Sequence, residues 1–189
     1  MIAQVPYRQE WPAAFHQIGH RLRAALGDLA LRIDHIGSTS VPGLAAKDVI
    51  DIQITARKLE PAIEDALRSL GYSRIERINS DHVPPGQSDE EGSWAKWIFS
   101  PPAGQRATNL HVRLAGEPNQ RYPILFRDYL RTHPAVAEAY SRIKSALARL
   151  QPDDHHAYYD VKDPVCDIIV EAAEAWAAII GWNEGPTDS

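Results

Sequence analysis

A chain of 189 residues, 44% hydrophobic and 24% charged, describes a globular protein able to bury its core as one domain. Its formal net charge of -5 argues against broad electrostatic capture of nucleic acid, which needs a basic face to release counterions, although a local basic pocket is compatible with it. The single Cys166 excludes an internal disulfide, no charged-then-apolar leader opens the chain, and no apolar run approaches the roughly 20 residues that span a membrane, so a cytoplasmic location is expected.

Taken in chain order, Trp11, Phe15, Ile18, Leu22 and Leu26 recur every three or four residues and predict an amphipathic helix that stops near Gly27. Residues 29–36 and 49–55 read as neighbouring strands, joined by a loop of about a dozen residues that carries Pro42 and Gly43. Leu59, Ile63, Leu67 and Leu70 predict a second helix closed by Gly71, with a strand over 72–78 after it. The polar stretch 79–92, with Pro84, Pro85, Gly86 and the acids Asp89, Glu90 and Glu91, reads as a solvated surface loop. Residues 94–100 and 109–114 read as a pair of strands separated by a Pro-Pro-Ala-Gly turn, the second placing His111 and Arg113 on one face and Leu110, Val112 and Leu114 on the other.

The last third is helical. Val136, Tyr140, Ile143, Leu147 and Leu150 form one stripe after Pro134, and Val165, Ile168, Ile169, Ala172, Trp176 and Ile180 form another, with Asp160 as its expected N-cap. Cys166 fits a half-buried position on that helix better than a nucleophile. The alternation of elements suits an α/β or α+β sheet with helices on one face. A single domain is expected, with a sheet-containing core over about 7–120, a helical portion over about 121–182 and a frayed tail over 183–189.

The segment richest in chemistry is His35-Ile36-Gly37-Ser38-Thr39-Ser40-Val41-Pro42-Gly43-Leu44, followed by Lys47 and then by Val49-Ile50-Asp51-Ile52-Gln53-Ile54. Gly37 permits close approach of backbone to a phosphate, while Ser38 and Thr39 offer hydroxyl and amide donors. Asp51 and Gln53 share one face of a period-two strand. Two carboxylates at such positions can both ligate Mg²⁺ and neutralise a triphosphate under attack; here the second is an amide. A lone Asp in an otherwise apolar strand is costly to bury unless metal, amide donors or a cation compensate it.

This signature resembles the GrpB family of the nucleotidyltransferase superfamily, and the resemblance continues through Asn109-Leu110-His111-Val112, Phe126-Arg127-Asp128-Tyr129-Leu130-Arg131-Thr132-His133-Pro134, Tyr140-Ser141-Arg142-Ile143-Lys144 and Tyr158-Tyr159-Asp160-Val161-Lys162. It covers the chain from about Tyr7 to Trp182. The family likewise has no second acid two residues after the Asp, and some relatives are fused to dephospho-coenzyme A kinase. The resemblance implies a nucleotidyltransferase-like mixed sheet flanked by helices, with C-terminal helices. It implies an activity transferring a nucleotidyl group from a nucleoside triphosphate to an acceptor with Mg²⁺ or another divalent metal. The alternative is a non-catalytic module binding a nucleotide or related phosphorylated small molecule.

The expected site residues follow. Asp51 and His111 are the catalytic and metal-binding candidates, with His35 as a third ligand in a His/His/Asp site suited to a transition metal, or as a structural histidine. Gly37, Ser38 and Thr39 hold phosphates. Lys47 either pairs with Asp51 or reaches a phosphate; Arg127 and Arg131 either pair with Asp128 or face phosphate. Tyr140 and Lys144 stand one turn apart, so ring and ammonium can meet a base and its phosphates together, although Tyr140 also completes the apolar stripe. Lys162 is placed near a helix N-terminus, where anions bind. No Gly-x-x-x-x-Gly-Lys-Ser/Thr loop and no Gly-x-Ser-x-Gly elbow occurs, and the adjacent His155 and His156 do not share a helix face, so a hydrolase triad is unsupported.

Overall fold

The computed structural model describes residues 3–88, 90 and 92–189, so Asp89 and Glu91 of the acidic loop lie outside the described residues. Helix α1 (Glu10–Leu26) forms on the predicted stripe and buries Trp11, Phe15, Ile18, Leu22 and Leu26. Strands β1 (Arg32–Ile36) and β2 (Ile50–Ala56) pair antiparallel. Helix α2 (Pro61–Ser69) begins on Pro61, whose missing N–H costs nothing in a first turn. Strand β3 (Ser73–Arg74) is shorter than the expected 72–78 because the chain turns away at once, Ile78 N–H closing on Ile75 O at 3.1 Å. Strands β4 (Lys96–Ser100) and β5 (Thr108–Leu114) pair antiparallel, and β5 runs parallel to β2. The order of the resulting five-stranded mixed sheet is β1-β2-β5-β4-β3.

The sheet is the expected α/β layer, with the centre of its core built on the period-two strands. Ile50, Ile52, Ile54, Leu110 and Val112 are fully buried against Trp11, Phe15, Leu22, Ile63 and Leu67 of α1 and α2. Helix α3 (Pro118–Thr132) crosses the opposite face, where Gln53 donates to Gln120 O, so helices flank both faces and not one. Helices α3, α4 (Pro134–Leu150) and α5 (His155–Ile180) share a second core around Leu125, Leu130, Tyr140, Ile169 and Ala173.

Three expectations for the last third are corrected. Helix α4 is rotated from the apolar stripe: it buries Ala137, Tyr140, Lys144 and Ala148, leaving Ile143 37% and Leu150 63% exposed. Small Ala residues let α4 approach its neighbours closely, which hydrophobicity alone does not announce. Helix α5 starts on Asp154, whose carboxylate accepts from Ala157 N at 2.9 Å, rather than on Asp160. The tail does not fray: Thr187 Oγ1 accepts from Ile33 N at 2.9 Å, Asp188 Oδ2 accepts from His35 N at 2.9 Å, and Ser189 N donates to Ile33 O at 3.1 Å. These bonds satisfy the outer edge of β1, which would otherwise present unpaired backbone groups. No helix among the described residues is long and apolar enough to cross a membrane.

Candidate functional site

The end of β1 delivers the turn at Gly37, whose φ of +70° and ψ of -173° lie in a region open in practice only to glycine. A Cβ there would stand 2.9 Å from both Cβ and Cγ of Asp51. The turn therefore rests directly on the Asp51 side chain, and no other residue type permits that approach. Asp51 lies opposite Asn109 in the parallel β2/β5 pair, and Asn109 Nδ2 donates to Asp51 Oδ1 at 2.7 Å. His111 follows two residues along β5 on the same face, its Nδ1 buried without a hydrogen-bond partner. Burial raises the pKa of Asp51 against the pull of Asn109, Lys162, Lys144 and Arg113. Burial, then Arg113 and Lys96, hold the His111 pKa well below its ordinary value, so its imidazole is neutral at pH 7.

These residues floor a cleft of about 590 Å³. One wall is cationic. Lys144, 2% exposed on α4, donates to Ser38 Oγ at 2.8 Å and to Ala45 O at 2.7 Å, with its Nζ 4.7 Å from the Tyr140 ring centre. Burial, reinforced by Lys162, lowers its pKa to about 7. Lys47 Nζ sits 4.5 Å from the Tyr158 ring centre and 5.2 Å from that of Tyr159, its pKa lowered by burial and by Lys162. Lys162 approaches Asp163 at 3.3 Å and Cys166 Sγ at 3.7 Å. It is the eighth residue of α5, so the expected N-terminal placement is corrected, yet it still lines the cleft. Tyr140, 3% exposed, belongs to the second core and reaches the cleft edge.

The facing wall contains residues that sequence reasoning missed. Asp81, from the loop read as solvated, accepts from Arg113 at 2.7 and 2.9 Å, from Lys96 at 2.6 Å and from Asn119 at 3.1 Å. His82 and Tyr122 both meet Asp167, at 2.8 and 2.9 Å. The available signal was Arg113 on the site face of β5, a cation that needs a carboxylate when buried, but nothing in the spacing names Asp81 as its partner.

Several expected site residues stand behind the turn rather than in the cleft. His35 projects to the side of Ile52, opposite Asp51, where it stacks on Phe15 with ring centres 4.8 Å apart and meets Thr39 Oγ1 at 3.0 Å. A His35/His111/Asp51 metal site is thereby ruled out by strand alternation. Thr39 borders the cleft but shares its hydroxyl with His35, and Ser38 Oγ accepts from Lys144, so both hydroxyls are already hydrogen-bonded within the protein. Arg127 binds His35 O, Asp128 and Asp188 and is 3% exposed. Arg131 caps Ser40 O at 2.9 and 3.0 Å. Both arginines brace the turn from behind and do not line the cleft.

Among the described residues the cleft offers a metal one carboxylate that is held by an amide and by no cation. Among the described residues lining it, Asp81 and Asp163 have ion-pair partners and Asp51 has none. No group of three or more His, Cys, Asp and Glu able to hold a metal occurs among the described residues. Gln53 is buried and satisfied at both ends, Nε2 by Gln120 O and Oε1 by Arg113. The donor set fits Mg²⁺, which accepts one carboxylate and completes its shell with phosphate oxygens and water, and does not fit an all-protein cage.

Residues 1–172 match the GrpB protein family. Over 95% of its length the chain aligns at 38% identity with the dephospho-CoA kinase of Mycolicibacterium paratuberculosis, and it spans 47% of that protein, about half the length of this and similar mycobacterial relatives. It is 32% identical to a UPF0157 protein of Halalkalibacterium halodurans, covering 92% of this chain and 83% of the other. The crystal structure of the conserved protein GrpB from Enterococcus faecalis superposes with a TM-score of 0.69 at 29% identity, covering 92% of this chain and 99% of that one.

Proposed function

The chain belongs to the GrpB family, and from that premise we propose that its cleft binds the polyphosphate of a nucleoside triphosphate or a related phosphorylated small molecule. The observation that carries this reading is the set Lys47, Lys144 and Lys162 gathered on one wall above the Gly37 turn, in a protein whose net charge is -5. Lys47 and Lys144 have no carboxylate within ion-pair distance among the described residues, so neither amine is neutralised by an ion pair within the protein. The rings of Tyr158 and Tyr159 keep Lys47 seated over apolar surface without neutralising it.

A second reading, nucleotidyl transfer to an acceptor, is favoured by Asp51. That carboxylate is free of ion pairs, and the neutral His111 on the same face carries an unpartnered nitrogen. A divalent ion at Asp51 supplies charge neutralisation at the phosphates. The chain's own groups then orient the triphosphate through Lys47 and Lys162, hold Asp51 in place through Asn109, and set an acceptor against His111.

Calorimetric titration of ATP, CTP, GTP and UTP, with and without Mg²⁺, tests both. Binding weakened about 10-fold or more by Lys47→Ala is expected, since a charge-assisted contact is worth roughly 1.5–3 kcal/mol. Failure of all four nucleotides to bind would remove the nucleotide reading. Release of pyrophosphate that requires Mg²⁺ and disappears in Asp51→Asn supports transfer; binding indifferent to both leaves the module without chemistry.

A further inference from the structure

Lys144 is a costly way to pin a turn. An ammonium ion taken out of water without a carboxylate partner carries a penalty of several kcal/mol, whereas an apolar side chain would fill the same space on α4. Its two polar contacts are specific: Nζ lies 2.7 Å from Ala45 O and 2.8 Å from Ser38 Oγ. The pKa of about 7 leaves a large fraction of the amine uncharged near neutral pH. A free amine has two N–H groups and one lone pair. Ala45 O, having no proton, must accept one N–H, which leaves the lone pair able to take the hydroxyl proton of Ser38, a hydroxyl that Tyr140 also hydrogen-bonds.

Ser38 itself lines the cleft, directly after the Gly37 turn that rests on Asp51. A serine hydroxyl is a weak nucleophile until a base within hydrogen-bond reach removes its proton, and Lys144 meets that distance. Lys47 and Lys162 border the same space and are placed to hold departing negative charge.

We propose that Ser38 is a nucleophile with Lys144 as its general base, and that the first acceptor of the nucleotidyl group is the Ser38 hydroxyl itself. This rests on the reading that the cleft takes a nucleoside triphosphate. Ser38 Oγ forms a bond to the α-phosphorus while the bond from that phosphorus to the pyrophosphate oxygen breaks. The hydroxyl proton passes to Lys144 Nζ, and pyrophosphate leaves with the bonding electron pair toward Lys47 and Lys162. The product is a nucleotidyl ester on Ser38. In the second half, an acceptor hydroxyl attacks the same phosphorus and releases its proton to solvent in the cleft, the Ser38 ester bond breaks, and Lys144 returns its proton to the departing Oγ.

The experiment incubates the full chain with each of the four nucleoside triphosphates and Mg²⁺, labelled at the α- or γ-phosphate, then denatures it and measures retained label and intact mass. The expected result is one retained α-label per chain, a mass gain of one nucleotidyl group on the peptide holding Ser38, and no retained γ-label. The rate of labelling should rise with pH through about 7 as Lys144 loses its proton. Ser38→Ala should abolish the adduct while calorimetry still shows nucleotide binding. Lys144→Ala should lose it at least about 100-fold, as expected for a general base, and added ethylamine should restore part of it, which a purely structural lysine would not allow. If wild type binds nucleotide but retains no α-label, or if label persists in Ser38→Ala, the nucleophile assignment is overturned alone. If wild type binds no nucleotide, the ligand assignment falls and takes this step with it.

Discussion

Replacing Asp81 by Asn removes the charge that compensates two buried cations while keeping the side chain's shape and one acceptor oxygen. The side chains of Arg113 and Lys96 are 7% and 12% exposed and that of Asp81 is 16% exposed, so none of the three is well screened by solvent. Burial opposes the charge on Asp81, but Arg113 and Lys96 outweigh it and hold the carboxyl well below the usual carboxylate range. Removing one partner of a buried pair costs about 3–5 kcal/mol, because the remaining charge stays buried. Asn sits at the lower end, about 3 kcal/mol, since Arg113 keeps its 2.8 Å bond to Gln53 Oε1. For a chain of this size that corresponds to a fall in Tm of about 6–12 °C. Urea unfolding of wild type and Asp81→Asn at several pH values measures it. Because the folded-state pKa is depressed, the contribution of Asp81 is complete above the unfolded value of about 3.9 and is lost only as pH falls through the folded one. The difference between the two proteins should therefore stay constant from pH 8 to pH 5. A loss under about 1 kcal/mol, a fraction of what an uncompensated buried charge costs, or a difference that vanishes by pH 5, would show that this network does not hold the loop as described.

Gly37→Ala forces φ of +70° on a residue with a Cβ and drives that atom into Asp51, so a destabilisation of about 2–4 kcal/mol is expected together with loss of nucleotide binding; unchanged urea midpoint and affinity would contradict the close packing of turn and carboxylate. His35, its pKa lowered by burial to about 3, and His111, lowered well below its ordinary value, both stay neutral in the folded state while the unfolded chain protonates near 6.5. The unfolded state thus binds more protons below that pH, and stability should fall by up to about 1.4 kcal/mol per pH unit for each histidine, offset in part by Asp34 and Asp51, whose pKa values are raised; denaturant midpoints that do not change between pH 7 and pH 5 would be the contrary result. Gln53→Glu restores an acid at the second position of the strand signature, but the carboxylate meets Arg113 and stays covered by Gln120, so calorimetry with Mn²⁺ should show no gain in affinity. A tightening of about 10-fold or more, the scale on which metal affinity responds to the groups around its ligands, would mean that Gln53 reaches the cleft after all.

The parts of the fold that were legible in the sequence are those fixed by short-range periodicity. The stripe from Trp11 to Leu26 became α1, and alternation through residues 50–54 became strand β2, because each pattern matches one backbone period and one buried face. Asp51 and Gly37, which with Lys47 line the cleft, stand out in the sequence in the same way, since a carboxylate amid isoleucines and a glycine at a fixed distance before it are local statements. What stayed hidden is long-range. Asp81 reaches Arg113 across 32 residues and the tail reaches β1 across more than 150, and a polar loop or a Gly-Pro-Thr-Asp-Ser tail looks the same whether solvated or pinned. The α4 stripe misled for a different reason: Tyr140 belongs to two overlapping stripes, and the tertiary packing selected the one with Ala137, Lys144 and Ala148.

That selection bears directly on the site. Had α4 buried Ile143 and Leu150, Lys144 would face solvent as an ordinary surface lysine, with no reach to Ser38 and no reason for a perturbed pKa. The rotation costs exposed apolar area at Ile143 and Leu150 and a buried amine, and only the amine lines the cleft. Arg113 and Asp81 line the cleft, and Gln53, which does not, joins them in a hydrogen-bonded chain that consumes the position where a second acid would stand. The cleft thus sets Asp51, without an ion pair among the described residues, against Lys47 and Lys144, with Lys162 beside Asp163 on the same lining. Such a balance favours an anionic ligand in the absence of metal and leaves Asp51, among the described lining residues, as the carboxylate through which a cation can add to it.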